Sequence, residues 1–203
     1  IPYWYPKDRM PDGDESRRND RSGITHVHHF YTKRNLWIIG LCYLMIQDRL
    51  FNPFHLLLTA MMPKLSRLCR YTKKLPGPLA GTLYAPSMSM EYNLLWSYAK
   101  KFTDIKSSFN NLNNLSCYNA LSNQSLINTI NIKNNSIDYI FTDPPFGANI
   151  MYSELNFLWE SWLKVSTNNK TEAIENKTQN KGFLEYQELM FQGFKEYYRI
   201  LKP

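Results

Sequence analysis

The chain has 203 residues, of which 43% are hydrophobic and 15% aromatic, enough for the core of one medium domain. Its net charge of +7 favours a polyanionic partner such as a nucleic acid. The longest apolar stretch, residues 36–46, is too short to span a bilayer, and no secretory signal opens the chain. The three cysteines, Cys42, Cys69 and Cys117, are widely spaced, which indicates reduced thiols in the cytoplasm and neither a disulfide framework nor a zinc ribbon.

The first third of the chain predicts loop followed by helix. Residues 1–31 are rich in Pro, Asp, Arg and His and show no sustained period, so we expect a loop with one short strand near residues 25–30. Thr32 can cap a helix that runs to about Asp48. This helix is apolar on all sides, which is typical of a buried helix.

The next segment predicts two more helices and a strand. Pro53 can occupy the first position of a helix, and Pro63 is expected to break it. The Pro-Gly-Pro sequence at residues 76–78 indicates a firm boundary. A strand is then predicted at residues 81–85, and Ser89 can cap the following helix.

Strands and helices are predicted to alternate in the second half, a pattern typical of a parallel sheet covered by helices. The predicted elements are a strand at 116–121, a short helix at 124–130, a strand at 137–142, a helix capped by Ser153 and a last helix at 183–201. Residues 166–182 are polar and predict a flexible loop, which can cover bound DNA or be an ordinary surface insertion. The last helix is predicted to bury Phe183, Tyr186, Met190, Phe194, Tyr197 and Leu201.

The most informative motif is Asp143-Pro144-Pro145-Phe146, which directly follows the predicted strand at 137–142. In open α/β sheets, ligands bind beyond the carboxyl ends of the strands, where this motif would lie. The two prolines stiffen the turn and leave nearby carbonyls as free acceptors. Asp143 and the Pro144 carbonyl could then accept both hydrogens of an amino group, while Phe146 stacks on an aromatic ring. Such a site suits methylation of an exocyclic amine on a nucleobase.

The motif resembles the catalytic motif of S-adenosylmethionine-dependent amino-methyltransferases of DNA. The sequence after it is similar to one group of adenine-specific DNA methylases, a group often described with an attached zinc ribbon. The similar residues are Gly147, Asn149, Tyr152, Ser153, Glu154, Leu155, Phe157, Trp162 and Leu163. A second similar block covers residues 1–35 and includes Glu15 to Asn19 and Gly23 to Phe30.

This resemblance implies a Rossmann-like methyltransferase. The predicted fold is accordingly α/β, with a partial Rossmann-like sheet in residues 86–203 and a mainly helical insert in residues 1–85 that can help hold DNA. The implied activity is methylation of adenine N6 in DNA, as part of restriction–modification or a related defence. Three alternatives stay open: methylation of cytosine N4, methylation of guanine N2 in RNA, and an inactive DNA-binding remnant.

The implied cofactor is S-adenosylmethionine, with Asn123, Ser125 and Asp143 as candidate contacts. The glycine-containing loop that holds the cofactor in this family has no match here. Because the chain starts at Ile1 rather than at methionine and stops at Pro203, we expect a fragment of a longer protein that binds the cofactor poorly by itself.

Two clusters of basic residues are candidates for DNA contact. Phosphate contacts are predicted for Arg17, Arg18, Arg21, Lys33 and Arg34. Acidic residues alternate with these, which equally suits a salt-bridged surface loop. The second cluster consists of His26, His28 and His29. No further ligand pair is near them in sequence, so we expect DNA contact or structural packing and no metal site.

Overall fold

The computed structural model describes residues 1–46, 53–73, 76–112 and 118–203. Within these ranges the chain forms six α-helices and three short 3₁₀ turns. The α-helices are α1 (Asp14–Asp20), α2 (Lys33–Ile46), α3 (Pro53–Leu65), α4 (Leu94–Leu112), α5 (Tyr152–Leu163) and α6 (Phe183–Ile200). The 3₁₀ turns are Val27–Phe30, Asn169–Thr171 and Lys177–Gln179. None of the helices in these ranges combines the length and apolarity needed to cross a membrane.

The predicted α/β fold with a partial Rossmann-like sheet is wrong, because the described part of the chain contains no strand and its fold is all-helical. Of residues 25–30, Val27–Phe30 form a 3₁₀ turn, and the only strand-like feature of this stretch is one bridge between His26 and Arg9. Residues 81–85 are irregular. So are residues 118–121 and the predicted helix at 124–130, while residues 116 and 117 lie outside the described ranges.

The predicted strand at 137–142 shows why the sheet was overpredicted. Ile137 pairs with Leu201 through one isolated parallel bridge, and the pairing does not extend along the run. Tyr139 and Phe141 are 75% and 86% exposed. A buried parallel strand needs paired neighbours and covered faces, which these residues lack. A short apolar run in the sequence does not distinguish this arrangement from a strand.

The helix predicted after Thr32 is confirmed as α2. The Asn35 N–H donates to Thr32 Oγ1 at 3.2 Å, so Thr32 caps the helix as expected. One face is buried, and it includes Leu36, Ile39 and Tyr43. The prediction that α2 is buried on all sides is wrong, because Trp37 and Leu44 are exposed. The predicted end at Asp48 lies outside the described residues.

The helix α3 begins with a proline, whereas α4 begins after an asparagine cap. Pro53 is the first residue of α3, as predicted, but Pro63 lies within the helix and does not break it. The helix α4 begins at Leu94 rather than near Ser89. Its cap is Asn93, whose Oδ1 accepts from the Trp96 N–H at 3.1 Å.

Trp162 on α5 lies in the centre of the main core and is fully buried. The ring centroids of Trp4, Tyr31 and Tyr43 lie 5.9, 6.1 and 6.1 Å from its own. This core also contains side chains from α2 and α3. The segment that follows the Asp-Pro-Pro-Phe motif is therefore anchored to the N-terminal part of the chain.

The predicted last helix is confirmed as α6, but the face expected to be buried is only partly covered, with Tyr186, Met190 and Tyr197 half-buried. Phe183 and Phe194 are 61% and 50% exposed. Among the residues of α6, Gly193 and Ile200 are the buried ones. The physical reason is that no described sheet lies against this face.

Candidate functional site

The Asp-Pro-Pro-Phe turn, residues 143–146, has no strand before it, and α6 holds it instead. The Tyr186 hydroxyl donates to the Pro145 carbonyl at 2.8 Å. The Tyr197 hydroxyl lies 3.0 Å from Thr142 Oγ1. Two tyrosines of one helix therefore fix a turn whose prolines already restrict the backbone.

The polar groups of this turn are open to a ligand. The side chain of Asp143 is exposed and makes no hydrogen bond or ion pair within the described residues. The Pro144 carbonyl likewise accepts none of the hydrogen bonds found in this part of the structure. Both groups therefore keep free lone pairs, as the sequence argument requires.

A cavity of about 240 Å³, here called the Asp143 cavity, lies between the turn and α6. The structure brings Ser125 and Asp143, two predicted cofactor contacts, to this one cavity. The third, Asn123, is exposed and outside its lining. Phe146 is 67% exposed and also lies outside the lining. The cavity is lined by Ser125, Leu126, Ile127, Thr142, Asp143, Pro144, Pro145, Thr171, Ala173, Leu189, Met190, Gly193, Phe194 and Tyr197.

The segment 166–182 contributes Thr171 and Ala173 to the lining of the Asp143 cavity and contains two 3₁₀ turns. Ile174 is fully buried, and the Glu175 N–H donates to the Gly147 carbonyl at 3.1 Å. Gly147 has φ +53°, in the left-handed region that favours glycine. A Cβ there would lie 2.7 Å from Glu175 Oε1. The left-handed backbone conformation where the turn meets this segment therefore favours glycine at position 147, and the Glu175 carboxylate would move to admit a Cβ.

We expect Gly147→Ala to lower the free energy of unfolding by about 1–2 kcal/mol, because a side chain is strained at this φ. Chemical denaturation followed by circular dichroism measures the change. Gly77→Ala is the matched control, because a Cβ at Gly77 meets no atom within 4 Å and its φ is not positive. Equal stabilities for the two variants would contradict the left-handed conformation of Gly147.

Arg199 on α6 holds the opposite wall. Its guanidinium donates to the carbonyls of Thr129 and Ile132, each at 3.0 Å, and pairs with Glu196 at 2.9 Å. The hydrogen bonds from Arg199, with one from Thr129, lower the pKa of Glu196 to about 2. This arrangement anchors the chain directly after Ser125 to the same helix that holds the turn.

Glu154 on α5 forms a buried link that the sequence analysis did not predict. Its carboxylate accepts from the Ser16 N–H at 2.7 Å, from Ser16 Oγ at 2.8 Å and from Asn176 Nδ2 at 3.3 Å. Glu154 is fully buried, and Ser16 and Asn176 are also buried. A Cβ on Gly13 would overlap this carboxylate. One side chain thus joins α1, α5 and the segment 166–182, and a lone Glu on the apolar side of α5 was the sequence signal for it.

Most of the basic residues predicted to contact DNA are paired within the protein. Arg17 pairs with Asp20 at 2.9 Å and Arg18 pairs with Glu15. Arg34 pairs with Glu91 at 3.0 Å. The remaining two are exposed and join no ion pair within the described ranges; they are Arg21 and Lys33.

The three histidines lie side by side, with ring centroids 4.4 Å apart for His28 and His29, 5.1 Å for His26 and His29, and 5.6 Å for His26 and His28. Burial, with smaller contributions from His29, His26 and Lys7, lowers the pKa of His28. Across the described part of the chain, no group of three or more His, Cys, Asp or Glu side chains could hold a metal ion.

No protein-family model matches the chain, and it has no match among curated proteins or solved structures. Its function must therefore be argued from the Asp143 cavity and the surrounding residues.

Proposed function

We propose that this protein is an S-adenosylmethionine-dependent DNA methyltransferase that methylates an exocyclic amine, with adenine N6 as the target. One observation carries the proposal: the exposed, unpartnered Asp143 carboxylate lies on a cavity that Pro144 and Pro145 also line. The proposal needs no sheet, because α6 and the segment 166–182 position the turn.

The chemistry follows from the acceptors on the turn. An exocyclic amine carries two hydrogens, and the Asp143 carboxylate and the Pro144 carbonyl can each accept one. As the nitrogen attacks a methyl group it gains positive charge, which the carboxylate stabilises. The exposed ring of Phe146 offers a stacking face beside the cavity. To reach this site a base must leave the duplex, which costs a few kcal/mol.

The volume of the Asp143 cavity supports a role in holding the target base. Pockets for ligands of cofactor size measure about 300–1,000 Å³. The observed 240 Å³ lies below that range and is enough for one heterocycle. S-adenosylmethionine, which supplies the methyl group when bound, is proposed from the resemblance alone, and Ser125 is its one candidate contact on the cavity apart from Asp143. The groups described here hold and orient the base.

The contact between Ser16 and Glu154 joins the two stretches of the chain that resemble adenine-specific methylases. Ser16 belongs to the block at residues 1–35, and Glu154 follows the Asp-Pro-Pro-Phe turn. Their hydrogen bonds, at 2.7 and 2.8 Å, are buried. Ser16 and Glu154 are 138 positions apart in sequence, and their contact holds the two segments together. Both residues belong to the stretches that resemble the methylases.

DNA is the proposed partner, the cytoplasm the proposed compartment, and restriction–modification or a related defence the proposed context. The net charge of +7 supports a polyanionic partner. Arg21 and Lys33 are the predicted phosphate contacts whose charges are not neutralised by ion pairs within the described residues.

The proposal is tested by expressing the full reading frame that encodes the chain with labelled S-adenosylmethionine and duplex DNA. Mass spectrometry of the digested nucleosides identifies the modified base, and we expect N6-methyladenine. Detection of N4-methylcytosine would change the proposed target to cytosine N4. Detection of N2-methylguanine in an RNA substrate would change it to guanine N2. DNA binding without any methylated base would reject the enzyme in favour of an inactive DNA-binding protein.

A further inference from the structure

A second cavity, of about 490 Å³, lies beside the start of α2 and is here called the basic cavity. Its nitrogen-bearing side chains are His28, His29, Lys33 and Arg67. None of its described lining residues is acidic. Its volume lies within the range of about 300–1,000 Å³ that small-molecule sites occupy. The Asp143 cavity shares none of these residues.

The two permanent charges of the basic cavity are not neutralised within the described part of the protein. Lys33 and Arg67 are exposed and join none of the ion pairs found there. The neighbouring Arg34 behaves differently, because it pairs with Glu91 at 3.0 Å and does not line the cavity. Two unpaired cations beside one cavity, with no carboxylate between them, create a positive potential that attracts an anion.

The histidines of the basic cavity add a hydrogen-bond donor. The Thr25 backbone N–H donates to His29 Nδ1 at 3.2 Å. A backbone N–H can only donate, so Nδ1 is the acceptor in this contact and Nε2 is the ring nitrogen left to donate. Burial and the adjacent histidines lower the pKa of His28, which favours its neutral form.

We propose that the basic cavity binds the phosphate group of a nucleotide. Lys33 and Arg67 provide the charge that recognises phosphate, and an arginine fork can bind two of its oxygens. His29 provides a further donor through Nε2, and the ring of Tyr5, which also lines the cavity, provides an aromatic wall for the rest of the nucleotide. This site goes beyond the proposed function, because it requires neither the Asp143 cavity nor a methyl donor.

The test titrates the purified chain with adenosine monophosphate, inorganic phosphate and adenosine, observing the histidine ring resonances by NMR. We expect the monophosphate and inorganic phosphate to shift the signals of His28 and His29, and adenosine alone to leave them unchanged. Lys33→Gln and Arg67→Gln should each weaken the binding of adenosine monophosphate about tenfold. Both positions are exposed, and thermal unfolding checks that the variants fold.

The matched control is the double variant Lys106→Gln/Lys195→Gln, which removes the same charge from exposed positions outside the basic cavity. It should bind adenosine monophosphate as the wild type does, whereas Lys33→Gln/Arg67→Gln should not. Equal binding by all three proteins would overturn the site, and so would adenosine that shifts the signals of His28 and His29 as strongly as its monophosphate does.

A short single-stranded oligonucleotide identifies the source of the phosphate. Displacement of adenosine monophosphate by the oligonucleotide assigns the site to a nucleic-acid strand, and no displacement assigns it to a free nucleotide. Asp143→Asn should leave every one of these titrations unchanged. Failure of the methyl-transfer proposal and failure of the phosphate site can therefore be distinguished.

Discussion

If the proposed function is right, we expect Asp143→Asn to lower the rate of methyl transfer by about 100- to 1,000-fold and to leave DNA affinity unchanged. The amide keeps one acceptor oxygen but loses the negative charge that would stabilise the attacking nitrogen. Asp143 is exposed and makes no hydrogen bond or ion pair within the described residues, so the substitution removes no internal contact and should not alter stability. The expected change is in the rate constant for methyl transfer and not in the binding of DNA.

Single-turnover transfer of labelled methyl groups to duplex DNA, by the protein that the full reading frame encodes, measures this rate, and a filter-binding or anisotropy titration measures DNA affinity. Asp104→Asn, at an exposed position on α4, is the isosteric control and should retain full activity. Methyl transfer by Asp143→Asn at the wild-type rate would show that the Asp-Pro-Pro-Phe turn does not hold the amine.

Glu154→Ala is expected to lower the free energy of unfolding by about 3 kcal/mol. The Glu154 carboxylate accepts three hydrogen bonds from two buried residues, Ser16 and Asn176. Alanine leaves these donors buried without partners and also creates a small cavity. Because Glu154 joins α1, α5 and the segment 166–182, we also expect this segment to lose protection from amide hydrogen exchange.

Urea denaturation gives the change in stability, and hydrogen exchange followed by mass spectrometry gives the local effect. Glu188→Ala is the control, because Glu188 is exposed on α6 and its carboxylate contacts only Gln192, at 2.8 Å, within the described residues. The control should stay within about 0.5 kcal/mol of the wild type. A loss of similar size in both variants would show that the buried link is not a main source of stability.

The stability that Glu154 contributes should decrease as the pH rises. Burial raises the pKa of Glu154 above its ordinary value of 4.5, although hydrogen bonds from Ser16 and Asn176 oppose the rise. The folded chain then binds this proton more tightly than the unfolded chain. Its contribution is therefore complete below pH 4.5 and is lost as the pH rises through the folded-state pKa.

Glu154→Gln cannot release this proton and tests the pH dependence directly. We expect the stability of the wild type relative to this variant to be greatest near pH 4 and to fall towards pH 8, over roughly the window in which the carboxyl ionises. Urea denaturation across that range measures the difference, and Glu188→Gln should show no comparable trend. A difference that grows with pH would mean that Glu154 is ionised more easily in the folded chain.

Local signals in the sequence located several helix boundaries correctly. Thr32 caps α2 and Pro53 begins α3, because both effects act within one turn of the backbone. The extent of α6 was also predicted, since its pattern is long and strongly periodic. Such features depend on neighbouring residues and need no knowledge of the rest of the fold.

The sequence by itself determined these helices, the basic composition and the chemical groups of the Asp-Pro-Pro-Phe turn, since each is a property of residues close together in the chain. Tertiary structure decided that residues 137–142 form no strand, because pairing requires partners from distant segments. It also decided that Ser125 shares a cavity with Asp143 and that Glu154 links α5 to α1. Contacts between residues far apart in sequence leave no local pattern, so only the packed chain reveals them.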